Sequence, residues 1–280
     1  MRKCCFWLET TNPSDIHLRA CALHDKDTGR WVIETKEWKD WINGTSRFVW
    51  IYGIPGAGKT LLVSFIISQL AALNSTTPTI STNRPRIATV YYYCYFGHDQ
   101  NETLPLLGWV ISQLCRQTQL VAPAIVTCYD QGLWLSLDQL LEGLADILNL
   151  GGFDRVFIVI DAVDECKEPR LSLLRLVQTL VSDPRFDKIQ LLASSRDYLD
   201  IHSVFSKISV PLTMQLDKVQ TDIRKYVYTR MQEDHRFAKW PEGLGREVGD
   251  KLAVGAKGMY DPISSPVGTF LAEQVANTHI

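Results

Sequence analysis

Five runs of apolar, β-branched and aromatic residues punctuate the chain, at 47–52 (RFVWIY), 87–96 (IATVYYYCYF), 156–160 (VFIVI), 188–193 (KIQLLA) and, shorter, 207–210 (KISV). Each has the length and composition of a buried strand. The unbroken hydrophobicity of the third predicts burial on both faces. Between the runs, residues 60–73, 106–117, 137–150 and 169–181 read as helices, with apolar positions recurring at helical period. Strands that alternate with helices predict an α/β fold, a mostly parallel five-stranded sheet covered by helices on both faces. Ligands of such sheets bind at the carboxyl ends of the strands.

Polar punctuation sets the remaining boundaries. A mainly polar segment with Trp7, Trp31, Trp38 and Trp41 precedes the first strand, and residues 34–42 read as a short helix leading into it. The Ser-, Thr-, Asn- and Pro-rich stretch 74–86 reads as a surface loop, and Ala122-Pro-Ala124 and Gln131-Gly132 as interruptions. The expected organisation is a helical lead-in over 1–43, the α/β domain over 44–212, a partial helical extension over 213–260 and an irregular tail over 261–280.

The first strand runs directly into Gly53-Ile54-Pro55-Gly56-Ala57-Gly58-Lys59-Thr60, a full G-x-x-x-x-G-K-[ST] loop, and a helix follows. Glycines lack a Cβ, so the backbone can take unusual angles and approach an anion closely. The amides of the loop and the positive end of the helix dipole then face the phosphates. In this chemistry Lys59 reaches the β- and γ-phosphates and the Thr60 hydroxyl binds Mg²⁺. Nothing in the loop chooses between ATP/ADP and GTP.

Two further pieces end later strands. The third closes on Asp161-Ala-Val-Asp-Glu-Cys166. An aspartate at the end of an apolar strand is costly unless a cation or water satisfies it, which makes Asp161 the magnesium residue. Either Asp164 or Glu165 is placed to orient or deprotonate an attacking water; the bland alternative is that these acids merely begin the next helix. The fourth strand ends in Ser194-Ser195-Arg196. There a hydroxyl and a planar guanidinium suit a γ-phosphate sensor, unless Arg196 pairs on the surface with Asp197 or Asp200.

Composition narrows the classes. The 280 residues are 46% hydrophobic, enough for a large core, with a net charge of -2. That balance offers no general attraction to nucleic acid or to anionic membranes. No apolar stretch is long enough for a transmembrane helix, and the start lacks the apolar run of a signal peptide, so the cytoplasm is the expected compartment. Seven cysteines without C-x-x-C spacing read as free thiols of a reducing compartment. The chain shows neither the arginine-bearing lid nor the acceptor pocket of a kinase.

The set GIPGAGKT, VFIVIDAVDEC and LLASSRD, in that order, resembles the NACHT class of signal-transduction (STAND) NTPases. In detail it looks like the nephrocystin-like N-terminal P-loop domain of large fungal proteins that carry ankyrin or other repeats. Thr28-Gly-Arg-Trp31 is similar to that family's approach to the loop, and Asp222-Ile-Arg-Lys-Tyr-Val227 to the start of its following helical segment. The resemblance implies a nucleotide switch, ADP-bound at rest, ATP-bound and self-associating when triggered, with slow hydrolysis. It implies phosphate binding by residues 53–60, magnesium at Asp161, assistance from Asp164 or Glu165, and sensing by Arg196. Members serve in self/non-self recognition and programmed cell death. Ala256-Lys-Gly-Met-Tyr260 resembles a family signature, but the residues after it do not continue the pattern, as in a truncated or mis-spliced product. No repeat array and no separate effector domain is expected in this chain.

Overall fold

The apolar runs form one sheet in the computed structural model, which describes residues 1–25, 28–75, 86–214, 216–233, 243, 247, 250 and 251. Four helices come first: α1 (Arg2–Leu8), α2 (Ser14–Leu23), α3 (Trp31–Glu34) and α4 (Lys36–Asn43). Strand β1 (Phe48–Tyr52), helix α5 (Lys59–Ser75) and strand β2 (Ile87–Tyr93) follow. Then come α6 (Thr103–Thr118), α7 (Pro123–Asp130), α8 (Leu137–Leu150), β3 (Arg155–Asp161) and α9 (Leu171–Ser182). The rest comprises β4 (Ile189–Ser195), α10 (Leu199–Ile208), β5 (Val210–Thr213) and α11 (Leu216–Glu233).

The sheet order is β2-β3-β4-β1-β5, and every pairing is parallel. Although the strands are mainly apolar, alternate residues serve two different cores, as the two-residue repeat of a strand requires. Phe48, Trp50, Val90, Tyr92, Ile158, Ile160 and Leu191 join the layer containing α1, α6, α8 and α9. Val49, Ile51, Tyr93, Phe157, Val159 and Leu192 join the layer built by Trp38, Trp41 and the apolar face of α5. Arg155, at the start of β3, ties the end of α4 to the sheet, donating to the carbonyls of Ile42 and Asn43 beside the left-handed Gly44.

Several boundaries differ from the pattern-based reading. β2 stops at Tyr93, three residues short of the expected end, and Phe96 instead opens a 3-10 turn, Phe96–His98. The expected interruption at Ala122-Pro-Ala124 is instead the start of a helix that runs to Asp130, with Pro123 at its first position, where the missing N–H costs nothing. The fifth strand lies three residues later than expected, because Lys207 and Ile208 complete α10, whose Ile201 and Phe205 are buried. Val-Pro-Leu-Thr is an edge strand burying only Leu212, and edges tolerate proline. Asp164 and Glu165 lie in a 3-10 turn, Val163–Glu165, and do not start a helix. The expected loop over 74–86 lies largely outside the described residues, as do the 256–260 signature and the 261–280 tail.

Cys4 and Cys5 are buried in α1, and among the free cysteines only Cys21 is exposed. Among the described residues no helix is long and apolar enough to cross a membrane.

Candidate functional site

Parallel pairing brings the carboxyl ends of β1, β4 and β3 side by side, and the singled-out residues gather there. Tyr52 at the end of β1 is in register with Ser195 at the end of β4 and with Thr213 of β5. The loop 53–58 leaves β1 at this edge, and α5 begins at Lys59.

Gly56 and Gly58 adopt φ of 72° and 83°, the left-handed region that glycine enters without a Cβ penalty. Gly53 has no such backbone, and its need for glycine is steric. A Cβ there stands 2.9 Å from the Cβ of Met214, just beyond β5. Ala57 is buried, whereas Ile54, Pro55 and Gly56 are exposed at the tip. The first turn of α5 leaves the amides of Lys59, Thr60 and Leu61 without intrahelical acceptors, so the loop presents N–H groups and a positive helix end together.

Lys59 folds back over the loop, Nζ donating to the carbonyls of Gly53 and Ile54 at 2.9 Å each. Burial lowers its pKa, an effect that the nearby Asp164 and Asp161 oppose. Asp161, at 1% exposure, is the most secluded carboxylate of the group. It accepts a short hydrogen bond from Ser194 Oγ. Burial raises its pKa, while hydrogen bonds from Ser194 and Thr60 pull the other way. The Thr60 hydroxyl therefore lies near the Asp161 carboxylate.

The residue after Asp161 carries a feature invisible in the sequence. Ala162 is left-handed (φ 55°, ψ 46°), a conformation costing about 1–2 kcal/mol when a Cβ is present. Its amide donates to Ser194 Oγ at 3.0 Å. Ser194 thus fixes both Asp161 and the turn that carries Asp164 and Glu165. Ser195 is likewise committed internally, accepting from Trp50 Nε1 at 2.8 Å and donating to the Arg196 carbonyl. Of the Ser-Ser-Arg motif only the guanidinium reaches the surface, its side chain 40% exposed.

The two acids of the turn occupy different surroundings. Asp164 accepts from the backbone N–H of Arg196 at 3.0 Å, and its other oxygen lies 3.2 Å from Arg196 Nε. Asp197 and Asp200, the alternative surface partners for Arg196, pair instead with His202 and Arg170. Among the described residues Glu165 makes no ion pair; it accepts from the backbone N–H of Phe96 at 3.4 Å, and burial raises its pKa. Raised pKa and partial exposure suit a carboxylate that takes a proton from water. A cavity of about 440 Å³ adjoins the loop, lined by Tyr52, Ile54, Pro55, Arg196, Tyr198 and Met214 among others.

The donor set fits a magnesium nucleotide. Loop amides, one ammonium and one guanidinium answer phosphate charge. No cluster of three or more His, Cys, Asp or Glu able to hold a metal occurs among the described residues. Mg²⁺ asks for less, because it commonly binds one or two protein oxygens together with phosphates and retained waters.

The vegetative incompatibility protein HET-E-1 of Podospora anserina is 25% identical over 253 residues. That alignment covers 84% of this chain but 17% of HET-E-1, so the chain spans a small part of that relative. Among solved structures, the Walker-type ATPase PABY2304 of Pyrococcus abyssi superposes with a TM-score of 0.50 at 11% identity, over 92% of this chain and 74% of that one. At such identity the likeness is one of fold, that of a P-loop NTPase. Residues 27–196, which hold the loop, the Asp161 turn and Arg196, match the family model described as Nephrocystin 3, N-terminal. That match covers more than half of the sequence, and the chain belongs to this family.

Proposed function

We propose that this protein is a nucleotide-controlled switch of the NACHT/STAND type that binds ATP or ADP with Mg²⁺ and hydrolyses the triphosphate slowly. The observation that supports it is the convergence of Lys59, Thr60, Asp161, Glu165 and Arg196 on one sheet edge around a glycine loop.

In this reading residues 53–60 hold the phosphates, and Lys59 exchanges its two carbonyl acceptors for phosphate oxygens. Thr60 and Asp161 would hold the metal, which would supply the Lewis acid for a nucleotide that brings the anhydride bond. Glu165 Oε accepts the proton of the attacking water, and Asp164 serves by holding Arg196 rather than as the base. Arg196 senses the γ-phosphate, since its Nε faces Asp164 and one Nη lies 3.2 Å from the Tyr198 hydroxyl. Because Asp164 and Arg196 join the ends of β3 and β4, a change at the guanidinium moves both turns. The division into a lead-in over 1–43, an NTPase domain over 44–212 and a helical extension from 213 belongs to the same proposal. So do self-association on nucleotide exchange, a cytoplasmic setting and a role in self/non-self recognition, for which the likeness to a vegetative incompatibility protein is the support.

The test is to denature the purified protein, identify released nucleotide by chromatography, and titrate the stripped protein with Mg-ATP beside Lys59→Ala. Stoichiometric ADP, and at least a tenfold loss of ATP affinity in the variant, are the expected results. Equal affinity in the two proteins refutes the site. Tight binding with no turnover refutes the hydrolytic part and leaves a nucleotide-binding scaffold.

A further inference from the structure

Two sequence segments, Thr28-Gly-Arg-Trp31 and Asp222-Ile-Arg-Lys-Tyr-Val227, take no part in the chemistry above, yet they meet beside the glycine loop. Asp222, on α11, is 6% exposed. One of its carboxylate oxygens accepts both the Gly29 amide at 2.7 Å and the Trp31 indole N–H at 3.1 Å, across a separation of more than 190 residues. Lys218, one turn earlier on α11, lies 5.3 Å from the Trp31 ring centroid.

The segment so held lies flat on the helix that begins at Lys59. Gly29 has φ 77°, and a Cβ there stands 3.1 Å from Leu62 and 3.3 Å from Phe65. A small cavity at this junction is lined by Gly29, Trp31, Ala57, Gly58, Met214 and Asp222, among others. Val219 and Met214 line both this cavity and the larger one on the other side of the loop. Burying a carboxylate is costly unless its acceptors are used. Here two donors from a distant segment both meet one of its oxygens, at the wall of the site.

We propose that Asp222 is a positioning residue of the nucleotide site: it clasps α11 to residues 28–31, closes the loop's flank and slows the escape of bound nucleotide. The proposal rests on the nucleotide reading given above. It makes the segment after β5 part of the retention mechanism, because α11 cannot swing away without releasing Gly29 and Trp31.

The experiment compares wild type, Asp222→Leu and Asp222→Asn. Asn keeps an acceptor oxygen for both donors, whereas Leu keeps the bulk and removes the acceptor. The first readout needs no nucleotide: exchange of the Gly29 amide, followed by mass spectrometry or NMR. Expected is faster exchange by at least tenfold in Asp222→Leu and near wild-type protection in Asp222→Asn. The second is the dissociation rate of a fluorescent ADP analogue by stopped flow, expected to rise at least fivefold in Asp222→Leu and to be rescued in Asp222→Asn. Wild-type exchange and release rates in Asp222→Leu overturn the clasp. Faster exchange with unchanged release leaves the contact but overturns its role in retention. If the wild type binds no analogue, the nucleotide reading fails, and the exchange measurement still decides whether the clasp exists. Should Asp222→Leu not fold, Trp31→Phe removes one of the two donors and is read in the same assays.

Discussion

Arg196 offers the sharpest quantitative test, because two of its donors meet one carboxylate. In Arg196→Met the backbone N–H to Asp164 at 3.0 Å survives, while the Nε contact at 3.2 Å is lost. The Asp164 side chain is 5% exposed and its carboxylate then faces the protein with one donor fewer. A hydrogen bond to a charged group contributes about 1.5–3 kcal/mol when shielded. Arg196 is 40% exposed, and exposed pairs contribute only about 0.2–1 kcal/mol. The intermediate geometry places the expected loss at about 1–2 kcal/mol. For a domain of this size that corresponds to a fall of roughly 2–8 °C in Tm. The assay is urea denaturation, without nucleotide, of wild type, Arg196→Met, Asp164→Asn and the double variant. Asn at 164 carries no charge to strand, so the second substitution should cost less once the first is made, with a coupling near 1 kcal/mol. Additivity within about 0.3 kcal/mol would refute the pairing and free Arg196 from any duty to Asp164.

Two other outcomes follow from the carboxylates. Glu165→Gln should leave the affinity for Mg-ATP within about twofold and lower the single-turnover hydrolysis constant by about 10²-fold or more; an unchanged rate removes Glu165 from the chemistry. For Asp161 the sign of the pH effect matters. Burial raises its pKa in the folded state, so the stability it contributes is present below the unfolded pKa, near pH ~4, and is lost as pH rises through the folded value. Asp161→Asn should therefore be more stable than wild type at neutral pH without nucleotide, with a gain that shrinks toward pH ~4, yet gain no further stability from Mg-ATP. Thermal denaturation across that range checks it, and a less stable variant at neutral pH contradicts the reading.

The sequence is most readable where one physical demand governs several adjacent residues. β1, β3 and β4 are buried on both faces, and their mainly apolar runs leave no other placement. The loop 53–60 is equally plain, since its glycines, lysine and threonine stand at one fixed spacing between a strand and a helix. β5 was misplaced because an edge strand buries little, so Leu212 alone cannot outweigh the apolar run of the neighbouring helix α10. The helix α7 is hidden by a proline that reads as a break and serves as a start. Within the site, the choice between Asp164 and Glu165 lay beyond the sequence. Their surroundings differ through Arg196, just past β4, and Phe96, in the 3-10 turn after β2. The left-handed Ala162 and the Asp222 contact have no local signature at all: one is a backbone angle at an ordinary residue, the other a meeting of distant segments.

The edge position of β5 has a mechanical consequence. The amide of Met214, the first residue past that strand, donates to the carbonyl of Tyr52, the last residue before Gly53, at 2.9 Å. There is thus no slack between the glycine loop and the chain that leaves the sheet. A pull on α11 is delivered within one hydrogen bond of Gly53, and as shear along a short parallel pairing with β1. Tension on the downstream chain would be read by the loop directly, before any helix had to bend.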